Sequence, residues 1–130
     1  MSHFNLNITE IPVYNDGSFL LYKLKQANEV FPYEQIEKLY DEPFFYEELS
    51  LTDNILFEND KMQRKIVKKI RIPQDKEITS INVLKINNLF YQVFNIYHFK
   101  NKDGYLQSDI TLQEYINPNI VEEKLWLKKN

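Results

Sequence analysis

The sequence predicts a mainly β fold: a small antiparallel β-barrel or sandwich with a long loop or short helix inserted in its N-terminal half. Three observations predict it. Alanine occurs once, at Ala27, against 14 Ile, 9 Tyr and 9 Phe, and β-branched and aromatic residues suit a pleated, half-buried surface better than a helix. Several runs alternate polar and apolar residues with period two. Turn-forming Asn, Asp, Gly and Pro separate those runs.

The elements follow in order along a chain of 130 residues, a length that predicts one domain over 1–130. Phe4, Leu6 and Ile8 alternate with polar residues and read as a short strand. Pro12 and Asn15-Asp16-Gly17 form a turn, and Ser18 to Leu24 reads as a buried strand. Pro32 suits the first turn of a helix carrying Ile36, Leu39 and Tyr40 on one face. Asp41-Glu42-Pro43 ends it, because a residue before proline avoids the helical region; a long ordered loop is the alternative here. Phe44-Phe45-Tyr46 follows, as core or as a contact surface.

From residue 61 the pattern sharpens. Lys65 to Ile72 is a strand stopped by Pro73. Glu77 to Ile86 and Leu89 to Phe99 are strands joined at Asn87-Asn88, residues that tolerate the positive φ of a two-residue hairpin. Lys102-Asp103-Gly104 marks a second hairpin. Leu106, Ser108, Ile110 and Leu112 then share one face, with serine its single polar member. The core over about 61–116 therefore reads as a four-stranded meander. The tail over 117–130, with the only tryptophan at Trp126, is too short to hold a helix alone and must dock.

Composition excludes most enzyme chemistry. There is no cysteine, hence no disulfide, thiolate zinc site or cysteine nucleophile. Two histidines, His3 and His98, and two glycines, Gly17 and Gly104, leave no histidine-rich metal site and no phosphate-cradling loop. His98, in a strand, reads as a core or hydrogen-bonding residue. The adjacent acids Glu47/Glu48 and Glu122/Glu123 read as surface features. No catalytic residue, metal or cofactor is expected. No apolar run approaches the roughly 18–20 residues of a membrane span, and Met1 to Glu10 lacks a signal-peptide pattern, so the expectation is a soluble protein kept in the cell that makes it.

Charge is segregated beneath a net −3. Residues 1–60 carry 12 acids and 3 lysines, and residues 61–130 carry 13 bases and 7 acids. The acids gather at Glu34, Glu37, Asp41, Glu42, Glu47 and Glu48, and the bases at Lys61, Arg64, Lys65, Lys68, Lys69 and Arg71. Three arrangements fit: the two sets face each other within one fold, they join neighbouring subunits head to tail, or the bases face DNA. Phe44, Phe45, Tyr46 and Trp126 are the candidate partner-contact aromatics. A single-stranded nucleic-acid site is a weaker option. Period two puts Phe90 and Phe94 on one strand face and Tyr91 and Tyr97 on the other, which splits the aromatics near Lys85 and Lys100.

Over residues 64–115 a series of short motifs follows in order. Arg64-Lys65 leads into Lys69-Ile70-Arg71-Ile72-Pro73, then Ile78 to Ile86, Tyr91-Gln92-Val93, Ile96-Tyr97-His98-Phe99, the turn Asn101-Lys102-Asp103-Gly104, and Ile110-Thr111-Leu112. This order resembles the head-closure (head–tail joining, or stopper) proteins of tailed bacteriophages. The resemblance implies a non-enzymatic virion protein at the head–tail interface, present in the host cytoplasm before assembly. It implies a small β-barrel assembling with itself as a six- or twelvefold ring. A portal or adaptor protein would lie above, a tail-terminator or other tail protein below, and packaged double-stranded DNA in the channel. A tail-terminator or tail-completion ring is the runner-up, and a small nucleic-acid-binding barrel the third reading.

Overall fold

The computed structural model describes residues 10–26, 33–51, 66–116 and 118–121. Seven strands form there: β1 (Gly17–Lys25), β2 (Gln35–Lys38), β3 (Phe44–Leu49), β4 (Ile66–Pro73), β5 (Asn82–Ile86), β6 (Leu89–Lys100) and β7 (Leu106–Glu114). Six of them close into an antiparallel barrel in the order β1-β3-β4-β7-β6-β5, with β5 returning to β1 through Leu20↔Lys85 and Leu21↔Leu84. The seventh, β2, lies outside this ring and pairs with β1. The expected Phe4–Ile8 strand lies outside the described residues.

Local chemistry accounts for the hairpins. Asn87 and Asn88 take φ values of 51° and 68°, the left-handed pair of a type I′ turn, whose twist matches its flanking strands. The β6–β7 turn uses Gly104 at φ 91°. It is braced by Asn101, whose Oδ1 accepts from the backbone N–H of Asp103 and Tyr105, a side chain standing in for a turn carbonyl.

Three expectations are corrected. The stretch carrying Ile36, read as a helix or a loop, is strand at Gln35–Lys38 (β2), Phe44–Leu49 after it forms β3, and the described residues contain no helix. Both strands run antiparallel along β1. From Tyr22↔Lys38 to Phe19↔Phe44, three steps on β1 correspond to six on the partner, so three extra residues split one long strand into two around Asp41-Glu42-Pro43. Second, the four-stranded meander is three strands, β5-β6-β7. β4 does not pair with β5. Pro73, with no N–H to give, ends β4; the chain then crosses to β5, and β7 comes back beside β4, with Arg71 opposite Asp109 and Ile72 opposite Ser108. The spatial order β4-β7-β6-β5 is a Greek key. Third, β5 is shorter than expected. Residues 77–81 form a loop held by Asn82, whose Oδ1 accepts from Thr79 N–H and whose Nδ2 donates to Tyr22 O.

The barrel interior is filled by Phe19, Leu21, Tyr46, Ile70, Ile72, Leu84, Ile86, Tyr91, Val93, Ile110 and Leu112, with Ile78 from the crossover loop. Burial of these side chains is the main driving force for closure. A second, smaller cluster sits on the outside, where Tyr22, Ile36 and Val83 pack with Leu20, Leu24, Phe90 and Tyr115. Chain segment 118–121 covers it by bridging to β2 at Ile36↔Ile120. This part of the tail docks on its own domain; Trp126 lies outside the described residues.

Candidate functional site

Of the sequence-derived candidates, the outer wall of β3-β4-β7-β6 carries Phe45, Glu47, Lys69 and Arg71. Strand register sets them in rows. Glu47, Arg71, Asp109 and Tyr97 form one row, and Leu49, Lys69, Thr111 and Asn95 the next. On the other side of the first row lie Pro73, Gln107 and Phe99.

Arg71 is the centre of this wall. Its Nε donates to Asp109 Oδ1 at 2.7 Å and its Nη2 to Oδ2 at 3.0 Å, the two-pronged geometry that suits guanidinium and carboxylate. The guanidinium carbon lies 5.0 Å from the centroid of the Phe99 ring, a cation–π distance. Phe99 stacks in turn on Tyr97, with centroids 5.5 Å apart and planes 12° from parallel. The hydrogen bonds to Asp109 hold Arg71 above its ordinary pKa. Asp109 is only 9% exposed although it points away from the core. Tyr97, 62% exposed, is the wall's outermost aromatic.

The N-terminal segment crosses this wall. Gln107 Nε2 donates to the Tyr14 hydroxyl at 2.9 Å, and the Glu48 backbone N–H donates to Asp16 Oδ2 at 2.8 Å. Two shallow grooves border the segment. One, of about 370 Å³, lies between Ile11–Val13 and Arg71, Asn101 and Gln107. The other, of about 460 Å³, runs between Tyr14, Pro43, Phe45 and Pro73.

The structure separates what the sequence grouped. Neighbouring residues of a strand alternate sides, so Lys69 and Arg71 lie on the outer wall, while Lys68 shares the interior face with Leu112. Lys68 reaches the barrel mouth and meets Glu48 at 3.2 Å. The described part of the basic strip is thus not one continuous surface. Lys61, Arg64 and Lys65 lie outside the described residues. Among the acids, Glu47 and Glu48 stand on β3 directly beside β4. Glu37 meets Lys25 at 3.8 Å, Asp41 meets Lys38 at 3.4 Å, and Glu34 accepts the Tyr115 hydroxyl at 3.3 Å. Glu42 is exposed beside Asp41 in the β2–β3 turn.

The contact aromatics divide similarly. Phe45 is 58% exposed at the groove, Phe44 is half-buried and stacked on Phe19 at 5.1 Å, and Tyr46 is core. The strand's alternation removes Tyr46 from any contact surface, and burial pushes its phenol above its ordinary pKa. The expected pairing of Tyr91 with Tyr97 on one face is also corrected. A bulge between Val93 and Asn95 inserts one residue and reverses the alternation beyond it, so Tyr91 faces the core and Tyr97 the wall.

Ser108 and His98 sit together inside the barrel. Ser108 Oγ is 2.7 Å from His98 Nδ1 and accepts the Asp75 backbone N–H at 3.2 Å. Ser108 has no exposed surface, which denies it the access a nucleophile requires, and the pair satisfies buried polar groups as structural hydrogen bonds do. Among the described residues no group of three or more His, Asp or Glu is placed to hold a metal ion. Sequence reasoning singled out Arg71 but not Asp109, Gln107 or Tyr14. The available signal was the run of polar residues Gln107, Asp109 and Thr111 in mid-strand. No protein-family model matches the chain, and no curated protein sequence matches it.

Proposed function

We propose that the chain is a structural protein of the tailed-phage neck, a ring subunit that closes the portal channel and joins head to tail. The observation that carries this reading is where the three resemblance motifs fall. Arg71-Ile72-Pro73 is in β4, Ile110-Thr111-Leu112 in β7 and Tyr91-Gln92-Val93 in β6. Because β7 lies between β4 and β6, motifs as far as 41 residues apart in sequence, from Arg71 to Leu112, form one wall. On it Ile72, Ile110, Leu112, Tyr91 and Val93 pack the core, and Arg71 is locked outside. Tyr97 and Phe45 stand exposed on the same wall, with the Tyr and Arg composition that anchors protein interfaces.

The test is electron microscopy of purified tailed particles assembled with the chain tagged after Asn130. Ring density at the head–tail junction is the expected result. Exclusion of the folded, expressed chain from particles overturns the reading, and density at the lower end of the neck supports the tail-terminator alternative. The nucleic-acid alternative draws on the aromatic pair Tyr97–Phe99 beside Arg71, a stacking platform next to a cation. Asp109 and Glu47 stand in the same row and repel phosphate. Salt-dependent oligonucleotide binding by the isolated chain would favour that alternative.

A further inference from the structure

We propose that the outer edge of β2 is a strand-acceptor site that takes residues 118–121 from a second copy of this chain, exchanging them for its own. The proposal rests on the ring reading above and names the contact that would link its subunits.

Each of the six barrel strands has a strand on both sides, whereas among the described strands β2 has one neighbour, β1. Its other edge is filled by the chain's own end. Ile36 N–H donates to Asn119 O and Val121 N–H donates to Ile36 O, both at 2.8 Å. Asn119 Nδ2 adds a bond to Glu34 O at 3.2 Å. These bonds end on backbone atoms, so the same segment of any copy satisfies them equally. The seat has to be filled, because Ile36 is fully buried beneath it and an open sheet edge exposes unpaired N–H and C=O groups.

Self-docking leaves this region incompletely covered. Ile116 is 70% exposed and Ile120 44% exposed, on either side of Pro118. A groove of about 400 Å³ opens at the root of the segment between Leu89, Phe90, Tyr115 and Ile116. The chain is anchored at Tyr115, whose N–H donates to Phe90 O, and exchange requires a change of course only between that point and Pro118. Exchange keeps every bond made at β2 while setting a neighbour against the exposed isoleucines and the groove. Reciprocal use of an identical element is a low-cost route to assembly.

The native chain has no cysteine, which permits a clean test. Ile36→Cys and Ile120→Cys variants are purified separately, mixed, assembled and oxidised. A disulfide between a Cys at 36 of one chain and a Cys at 120 of another forms only if the segment has crossed. Glu34→Cys with Asn119→Cys, both at exposed positions, repeats the test without touching the buried Ile36. Mixed-chain disulfides, read by mass spectrometry, are expected to exceed same-site dimers at least several-fold in assembled material. Assembled rings that yield no mixed-chain disulfide, while double variants close within one chain, overturn the exchange and leave the ring intact. A chain that forms no oligomer in solution or on particles overturns both.

Discussion

Removing either partner of the Arg71–Asp109 pair tests whether the wall is held from outside the core. The two side chains are unequally covered: Arg71 is 29% exposed and Asp109 11%. In Asp109→Ala the guanidinium keeps the Phe99 ring and turns toward water, so the loss is about 1–3 kcal/mol, that of charged hydrogen bonds. In Arg71→Ala an almost covered carboxylate loses both its donors, and stranding a buried charge costs roughly 3–5 kcal/mol. The double variant removes the stranded charge, so the cycle gives a coupling of about 1–3 kcal/mol. Urea denaturation followed by far-UV circular dichroism measures all four proteins. With a slope of roughly 1–3 kcal/mol/M, Arg71→Ala lowers the midpoint by on the order of 1–5 M. A coupling within about 0.5 kcal/mol of zero, or Asp109→Ala costing more than Arg71→Ala, refutes the argument.

Four further outcomes follow from the same geometry. A Cβ at Gly17 would overlap the buried Tyr46 phenol, so Gly17→Ala lowers stability by about 1–3 kcal/mol, and Tyr46→Phe, which removes the overlapping hydroxyl, recovers part of that loss in thermal melts. Ser108→Ala removes the partner of the half-buried Asp75 N–H and His98 Nδ1 and costs about 0.5–1.5 kcal/mol; a change near zero in the denaturation midpoint refutes a stabilising role for these bonds. Asn88→Gly relieves a residue at φ 68° and stabilises the hairpin by up to about 1 kcal/mol, whereas Asn88→Val destabilises it. Tyr46 and Tyr115 are held above the ordinary phenol value of 10.0, chiefly by burial. The folded state therefore keeps protons that the unfolded chain releases. Stability is complete below about pH 10 and falls above it, and Tyr46→Phe and Tyr115→Phe flatten that alkaline loss in pH-dependent melts.

Local chemistry was legible in the sequence, and long-range pairing was not. Asn87-Asn88 and Gly104 marked their turns because positive φ is a property of single residues. Ser108 stood out as the single polar member of an apolar face and His98 as a core or hydrogen-bonding residue, and the structure joins the two. By contrast, β4 bonds to β7 across more than thirty residues, as with Arg71 and Asp109 at |i−j| of 38, and nothing in either strand alone names its partner. β2 is four residues long, too brief for a period of two to stand out from helical spacing. The bulge at Val93/Asn95 has no composition signal, so the face of Tyr97 was misread. Of the wall, Arg71 was visible as part of a charged strip, but its isolation from Lys68 depends on the strand being formed.

The position of β1 sets an order on folding. Its residues Leu20 and Leu21 bond to Lys85 and Leu84, so the barrel cannot close until more than half the chain has been made. On the ribosome, β1, β2 and β3 emerge first and wait for β5, while the hairpins β5-β6-β7 form quickly among near neighbours. During that wait Phe19, Leu21 and Tyr46, all destined for the interior, have only one another and Phe44 to pack against. Refolding is therefore slower than for a helical chain of equal length. Its most vulnerable intermediate is an N-terminal half seeking a closing strand, and any neighbouring chain that offers one is a competitor.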